Sequence, residues 1–162
     1  MLHNKIHFLI LDVDGTLTDG KIYMGQSGEL FKAFDIKDGL GIHDLLPKIG
    51  IIPVIITGRN SIIVANRCAE LGIKNLFQGV SDKIMCLKEF LEKQDYGIET
   101  VAYMGDDIND LECMELVKSA GGFCACPVDA VTKVKNMCDF VSSKTGGNGA
   151  VREFIEYIIK ME

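Results

Sequence analysis

Several residue types and patterns that would point to particular classes of function are scarce in this sequence of 162 residues. The formal net charge is −6, which argues against a broad surface for binding nucleic acid. There are three histidines, and none is spaced to complete a Ser-His-Asp arrangement with the aspartates. No repeats, low-complexity tracts or proline-rich linkers occur. We therefore expect one domain over residues 1–162, with a substantial hydrophobic core.

Cysteine is present, but not in a metal-binding pattern. None of the six cysteines forms a CxxC pair, and the CxC at Cys124-Ala-Cys126 lacks a second pair or a histidine partner. We expect all six to be reduced structural residues of a cytoplasmic protein. Long hydrophobic runs are missing too. The N-terminal apolar run ends at Asp12, too early for a signal peptide or a membrane span.

Strand-like and helix-like segments alternate along the chain. Short apolar runs such as IHFLILDV and IIPVIITG predict buried strands, whereas NSIIVANRCAELG and GAVREFIEYIIKM have helical spacing. This alternation predicts an α/β fold, a Rossmann-like parallel sheet with helices on both faces. The segment from about residue 20 to residue 34 departs from the alternation. It predicts a small β-hairpin whose turn runs from Gly25 to Gly28.

Carboxylates, a hydroxyl group and a lysine stand where the predicted strands end. After the first strand come Asp12 and Asp14, after the second Thr57-Gly58-Arg59, after the third Ser81-Asp82-Lys83, and after the fourth Asp106, Asp107 and Asp110. Ser81 is the predicted cap of the helix that follows it. The carboxyl ends of parallel strands meet at one edge, where ligands bind. Phosphoryl transfer requires a carboxylate nucleophile, two groups that bind phosphoryl oxygens and further carboxylates that bind Mg²⁺.

Each of these features has an ordinary explanation when it is taken alone. Asp12 and Asp14 are common turn residues, and carboxylates such as Asp106 and Asp107 are common in the first turn of a helix. Arg59 is by default a solvated surface residue. Only the joint pattern separates a phosphoryl-transfer site from these alternatives.

The motifs DVDGT, TGR, SDK and GDDIND occur in this order, each after a predicted strand. They resemble the four motifs of the haloacid dehalogenase (HAD) superfamily. DVDGTLTDGKIYMGQSGELFKAFDIKDGLGI and the tail KTGGNGAVRE resemble the small branch of that superfamily that lacks a cap domain and contains the 3-deoxy-D-manno-octulosonate 8-phosphate phosphatases. The resemblance covers nearly the whole chain and implies a HAD-type fold with the hairpin as its only insertion.

The resemblance implies catalytic and metal-binding roles for the aspartates. Asp12 is expected to be the nucleophile that becomes an aspartyl phosphate. Asp14 is expected to act as general acid for the leaving hydroxyl and then as base for the attacking water. Asp12, the backbone carbonyl of Asp14 and Asp106 are expected to bind Mg²⁺. Asp107 and Asp110 are expected to lie near the metal or to orient its waters.

Substrate contacts are implied in the same way. Thr57 and Lys83 are expected to bind the phosphoryl group. A basic residue after TG is typical of the octulosonate branch, so Arg59 favours an octulosonate substrate. The segment that contains Gly146 and Gly147 suits a flexible turn before the last helix, but the resemblance favours a loop that faces the substrate.

The function that the resemblance implies is hydrolysis of a small-molecule sugar acid phosphate, 3-deoxy-D-manno-octulosonate 8-phosphate, in lipopolysaccharide biosynthesis. Two alternatives stay open: a phosphatase for nonulosonate (sialic-acid type) 9-phosphates, and a non-catalytic oligomerisation module like those fused to sialic-acid cytidylyltransferases. A signalling receiver domain fits poorly, because the second long strand ends in Thr57 where a receiver has its phosphate-accepting aspartate.

The predicted hairpin also bears on partners. Its arms carry apolar and aromatic residues that an isolated two-stranded ribbon cannot bury. Together with the resemblance, this pattern implies a homotetramer in which neighbouring hairpins pair and cover the sites. Neither a nucleic acid nor a membrane is expected as a partner.

Overall fold

A six-stranded parallel sheet forms the centre of the protein. The computed structural model describes residues 5–161. The strands of the sheet are β1 (Phe8–Leu11), β4 (Ile52–Ile56), β5 (Asn75–Phe77), β6 (Val101–Met104), β7 (Phe123–Cys126) and β8 (Phe140–Val141). Their spatial order is β5-β4-β1-β6-β7-β8, and each neighbouring pair is parallel. The predicted α/β architecture is confirmed.

Within residues 5–161, six α-helices connect or flank the strands. They are α1 (Ile36–Leu40), α2 (Ile62–Glu70), α3 (Lys83–Gln94), α4 (Ile108–Ser119), α5 (Thr132–Met137) and α6 (Ala150–Lys160). A π-helical turn (Gly41–Leu45) and a 3₁₀ turn (Leu46–Ile49) extend α1, and a second 3₁₀ turn (Ile98–Thr100) precedes β6. Among these described helices, none has the length and apolar composition that crossing a membrane requires.

One predicted helix start is wrong by one residue. Asp82, and not Ser81, caps α3, because its side chain accepts a hydrogen bond from Met85 N at 2.9 Å. Both residue types are good helix caps, so the local sequence does not distinguish them.

Two hydrophobic layers enclose the sheet. Side chains alternate along a strand, so Leu9 and Leu11 of β1 face one layer while Phe8 and Ile10 face the other. Helix α6 packs in the first layer, and helices α3 and α4 pack in the second. All four β1 side chains are buried. With both faces covered, the open ends of the strands are left for ligands.

The predicted hairpin is confirmed as a separate two-stranded ribbon. It consists of β2 (Tyr23–Gly25) and β3 (Gly28–Phe31), which pair in antiparallel fashion. The rings of Tyr23 and Phe31 stack, with their centroids 4.3 Å apart. Much of the remaining apolar surface of the ribbon is exposed: 61% of Met24 and 59% of Leu30. Apart from this ribbon, the described part of the chain contains no separate cap domain.

Candidate active site

The loop after β1 carries the first two predicted site residues. Asp12 is buried and Asp14 is partly exposed. Gly15, which follows Asp14, has φ +91°. A Cβ atom at this position would lie 2.0 Å from Asp106 Oδ2. The Thr16 hydroxyl donates a hydrogen bond to Asp106 Oδ1 at 3.1 Å. A glycine at position 15 therefore allows the loop after β1 to approach the loop after β6.

Lys83, the first residue of α3, joins the two sides of the site. Its ammonium group lies 2.8 Å from Asp12 Oδ1 and 2.8 Å from Asp110 Oδ1, and all three side chains are buried. Burial, and then the charge of Asp110, raise the pKa of Asp12 to about 6, although Lys83 opposes the shift. Burial lowers the pKa of Lys83, but the two carboxylates outweigh it and the pKa is raised. Lys83 is therefore a fixed positive charge.

Asp110 is a structural anchor whose acceptor positions are all used. Its Oδ1 accepts from Lys83 and from the buried hydroxyl of Tyr103, the latter at 2.9 Å. Its Oδ2 accepts from the backbone N–H groups of Asp106 at 3.2 Å and Asp107 at 3.5 Å. A carboxylate has about four lone-pair positions, so none is left for a metal ion. The expected role of Asp110, near the metal or orienting its waters, stays a prediction.

Carboxylate oxygens of Asp12, Asp106 and Asp110 lie within 4.8 Å of one another. Burial raises the pKa of Asp106 to about 8, and the nearby charges of Asp12 and Asp110 add to the shift. Three clustered carboxylates against one ammonium leave an excess of negative charge that a hard divalent cation would compensate. With Asp110 fully engaged, Asp12 and Asp106 are the side chains that fit Mg²⁺.

A cavity of about 400 Å³ opens beside Asp12 and Asp106. The predicted site residues that line it are Asp12, Asp14, Thr57, Arg59, Asp106 and Asp107. Lys83 and Asp110 do not line it in the described part of the chain; Lys83 lines a neighbouring cavity with Ser81 and Asp82. Asp107 is exposed and also caps α4, since its Oδ1 accepts from Ile108 N at 2.7 Å. Sequence reasoning did not identify Ile108 and Asn109, which line the same cavity. Their only signal is their position inside the GDDIND motif.

Arg59 extends from the loop after β4 toward the hairpin. Its Nη2 lies 3.6 Å from Glu29 Oε1, while its Nη1 is buried and has no hydrogen-bond partner among the described residues. Glu29 also accepts a hydrogen bond from the Ser61 hydroxyl and pairs with Lys32. Glu29 and Lys32 were not identified from the sequence, because alternating polar residues in a hairpin are ordinarily solvated.

The two predicted substrate-loop glycines lie against the loop after β1. A Cβ atom on Gly146 would come 1.9 Å from Gly15 O, and the N–H of Gly147 donates to Thr16 O at 3.0 Å. Neither glycine lines the cavity within the described chain. Their position supports the nucleophile loop, and direct contact with substrate stays a prediction.

Comparison with known proteins agrees with this geometry. Residues 72–155 match the haloacid dehalogenase-like hydrolase family. The 3-deoxy-D-manno-octulosonate 8-phosphate phosphatase of Escherichia coli (strain K12) is 45% identical over 155 residues, which cover 96% of this chain and 80% of that protein. The chain belongs to the haloacid dehalogenase superfamily. The enzyme of the same name from Yersinia pestis is 41% identical over the same shares of both chains.

Solved structures of this superfamily have the same fold. The cobalt-bound octulosonate 8-phosphate phosphatase of Haemophilus influenzae superposes with a TM-score of 0.90 at 38% identity, covering 99% of this chain and 91% of that one. The Moraxella catarrhalis enzyme, in complex with a magnesium ion, a phosphate ion and KDO (3-deoxy-D-manno-octulosonate), gives a TM-score of 0.89 at 40% identity. The match covers 98% of this chain and 90% of that one. The resemblance to the octulosonate phosphatase branch is thereby confirmed.

Proposed function

We propose that residues 1–162 form one HAD-like phosphatase domain that hydrolyses 3-deoxy-D-manno-octulosonate 8-phosphate with Mg²⁺ as cofactor. One observation carries the proposal: a chain 45% identical to phosphatases of this name has residues of the motifs DVDGT, TGR and GDDIND around a single cavity, with Lys83 of the SDK motif bound to Asp12 beside it. Asp12, Asp106 and the backbone carbonyl of Asp14 would hold Mg²⁺. The ion would supply positive charge to the phosphoryl oxygens and to the buried carboxylates.

Asp12 would act as the nucleophile. Lys83 donates a hydrogen bond to its Oδ1, which supports attack on phosphorus by Oδ2. In the first step an Asp12–phosphorus bond forms and the bond from phosphorus to the sugar oxygen breaks, while Asp14 gives its proton to that oxygen. In the second step Asp14 takes a proton from water and the water oxygen bonds to phosphorus. The bond between phosphorus and Asp12 then breaks, which regenerates the Asp12 carboxylate and frees inorganic phosphate.

Thr57 and Lys83 are suited to hold phosphoryl oxygens. An ammonium group has three N–H donors, and the contacts with Asp12 and Asp110 use two of those of Lys83. The third is available to a phosphoryl oxygen. The side chain of Thr57 lines the cavity, and its hydroxyl has no hydrogen-bond partner within residues 5–161. The two carboxylates hold Lys83 in place before substrate arrives, which favours stabilisation of the developing charge.

Arg59 is the residue that we propose to recognise the sugar acid. Arg59 lines the cavity, and its guanidinium group suits a charge-assisted hydrogen bond with an anionic or hydroxyl group of the substrate. Gly146 and Gly147 would shape the site through the loop after β1, with direct contact as part of the same proposal. The six free cysteines support a cytoplasmic location.

The assembly we propose is a homotetramer. The exposed apolar side chains of the hairpin, including Met24, Leu30 and Phe31, support it, because contiguous apolar surface of this kind marks an interaction site. The free edges of a two-stranded ribbon favour pairing with another ribbon. A neighbouring subunit would then cover the cavity and restrict it to small substrates.

The deciding experiment measures phosphate release from a panel of substrates at equal concentration. The panel contains octulosonate 8-phosphate, a nonulosonate 9-phosphate and glucose 6-phosphate. We expect the octulosonate ester to have the highest kcat/KM. A preference for the nonulosonate ester would support the alternative substrate, and no turnover of any ester would support the non-catalytic module.

Arg59→Gln tests the specificity assignment in the same assay. We expect KM for the octulosonate ester to rise by about tenfold or more, as loss of a charge-assisted hydrogen bond implies, and to change little for 4-nitrophenyl phosphate. Arg152→Gln on α6 is the matched control, since Arg152 pairs with Glu156 and does not line the cavity. An equal rise in KM for both substrates in Arg59→Gln would contradict a role of Arg59 in recognising the sugar.

A further inference from the structure

A buried lysine connects the hairpin to the candidate active site. Lys32 directly follows β3, and only 2% of its side chain is exposed although the ribbon beside it is open to solvent. Its ammonium group donates a hydrogen bond to Asp14 Oδ1 and lies 2.9 Å from Glu29 Oε1. A buried ammonium is costly unless anionic partners compensate it, and here two do so.

Glu29 extends this contact to the residue that we assign to sugar recognition. The Oε1 atom that pairs with Lys32 also lies 3.6 Å from Arg59 Nη2. The Oε2 atom accepts a hydrogen bond of 2.5 Å from the Ser61 hydroxyl at the start of α2. A continuous series of charges therefore runs from Asp14 through Lys32 and Glu29 to Arg59. Two of its members are supplied by the hairpin.

We propose that Lys32 is a positioning residue for Asp14, and that Glu29 holds Lys32 and Arg59 in fixed relation. Lys32 occupies Oδ1 of Asp14, while Oδ2 has no hydrogen bond within the described chain and the side chain lines the cavity. Oδ2 is thus the oxygen that exchanges the proton with the leaving group. This inference rests on the proposed function, since it assigns a neighbour to the proposed general acid.

The contact with Lys32 would hold the Asp14 carboxyl group in one orientation. The terminal torsion of an aspartate is broad, so a carboxyl group held at neither oxygen rotates freely. Proton transfer requires a heavy-atom distance of about 2.6–3.2 Å, and a loosely held acid spends less time there. Lys32 is not among the residues that line the cavity, so it acts on substrate through Asp14 and not by direct contact.

The test compares two leaving groups in the full-length protein. The sugar alkoxide needs a proton from Asp14, whereas 4-nitrophenolate leaves without one. For Lys32→Met we expect kcat/KM for the sugar acid phosphate to fall by about 10- to 100-fold and that for 4-nitrophenyl phosphate by less than about threefold. The loss does not exceed the ~10²–10⁴-fold that general acid catalysis typically contributes, because Asp14 itself is retained. The ratio kcat/KM is used because it covers only the steps up to departure of the leaving group.

Two further variants separate positioning from folding. Lys21→Met is the matched control on the same hairpin, since the Lys21 side chain is 74% exposed and lies beside Asp19, and it should leave both ratios unchanged. Lys32→Arg keeps a donor to Asp14 and should recover part of the loss. If Lys32→Met does not fold, Glu29→Gln tests the same series of contacts. It should lower kcat/KM for the sugar acid phosphate more than that for 4-nitrophenyl phosphate, by a smaller factor than Lys32→Met.

Equal losses on the two substrates, or no loss on either, would overturn the role of Lys32. The proposed substrate is judged separately on the wild-type protein. If wild type prefers a different sugar phosphate, the proposed substrate is wrong, and the comparison of leaving groups is made with that phosphate instead. The two failures are therefore distinguishable.

Discussion

Lys83 Nζ lies 2.8 Å from Asp12 Oδ1, although the two residues are 71 positions apart in sequence. The contact holds one oxygen of the candidate nucleophile and puts an ammonium group beside it. Under the proposed function, the second oxygen of Asp12 would attack phosphorus and Lys83 would donate to the phosphoryl group.

Asp12→Asn should lower turnover by at least about 10³-fold while leaving the fold intact, because an amide is nearly isosteric with a carboxylate but a very poor nucleophile. Phosphate release and circular dichroism are the measurements. Asp44→Asn, at an exposed position beside His43, is the control and should retain full activity. Activity above a few per cent in Asp12→Asn, after deamidation has been excluded, would contradict the assignment.

Asp14→Asn should discriminate between leaving groups. Loss of a general acid typically costs ~10²–10⁴-fold, and the loss should fall on sugar phosphates more than on 4-nitrophenyl phosphate. The measurement is kcat/KM for each ester. If the two ratios fall equally, Asp14 does not protonate the leaving group.

Removal of the metal should stop catalysis and lower stability. The clustered carboxylates of Asp12, Asp106 and Asp110 repel one another without a cation, so we expect EDTA to abolish turnover and reduce the melting temperature. Mg²⁺ should restore both. Ca²⁺ should restore the melting temperature but little activity, because its looser coordination misplaces the phosphoryl group. Full activity after exhaustive chelation would refute a metal-dependent mechanism.

Asp38→Ala should destabilise the fold without touching the site. Asp38 is buried and accepts hydrogen bonds from the backbone N–H groups of Arg152, at 2.7 Å, and Gly149, at 3.4 Å, where α6 begins. Gly149 provides no side-chain cap, so these groups would be left unsatisfied, at a cost of about 1–3 kcal/mol in the free energy of unfolding. Asp35→Ala, which removes the cap of α1, should cost about 1 kcal/mol.

The effect of Asp38→Ala should also depend on pH. Burial raises the pKa of Asp38 from 3.8 to about 6, against the opposing effect of the Arg152 N–H group. The folded protein therefore binds this proton more tightly than the unfolded chain does. That contribution to stability is complete below about pH 4 and is lost as the pH rises to about 6. Urea unfolding should show a larger difference between wild type and variant at about pH 4.5 than at about pH 7; the reverse order would contradict the raised pKa.

Charges on the hairpin should disrupt the proposed tetramer. Met24→Asp combined with Leu30→Asp alters exposed side chains and keeps the stacked pair Tyr23 and Phe31. We expect light scattering to report a smaller species, and kinetics to show reduced selectivity for sugar acid phosphates. Met85→Asp, at an exposed position on α3, is the control. A folded monomer with unchanged activity and selectivity would show that neighbouring subunits do not cover the site.

Local sequence patterns predicted the strands of the sheet, its main helices and the edge at which the site forms. Apolar runs such as FLIL in β1 and helical spacing such as that of α6 are local patterns, and local patterns encode which faces are buried. Because every motif follows a strand, parallel pairing was enough to predict that Asp12, Thr57 and Asp106 share one cavity. The HAD family was likewise readable from motif order.

Which charged side chains contact one another depends on the tertiary structure. Periodicity does not reveal that Lys83 divides its donors between Asp12 and Asp110, since that requires the order of strands in the sheet. It also does not reveal that Lys32, a polar residue beside an exposed ribbon, is buried against Asp14. Such contacts join distant segments, and their energies depend on burial and on distances of a few ångströms, neither of which is a property of the local sequence.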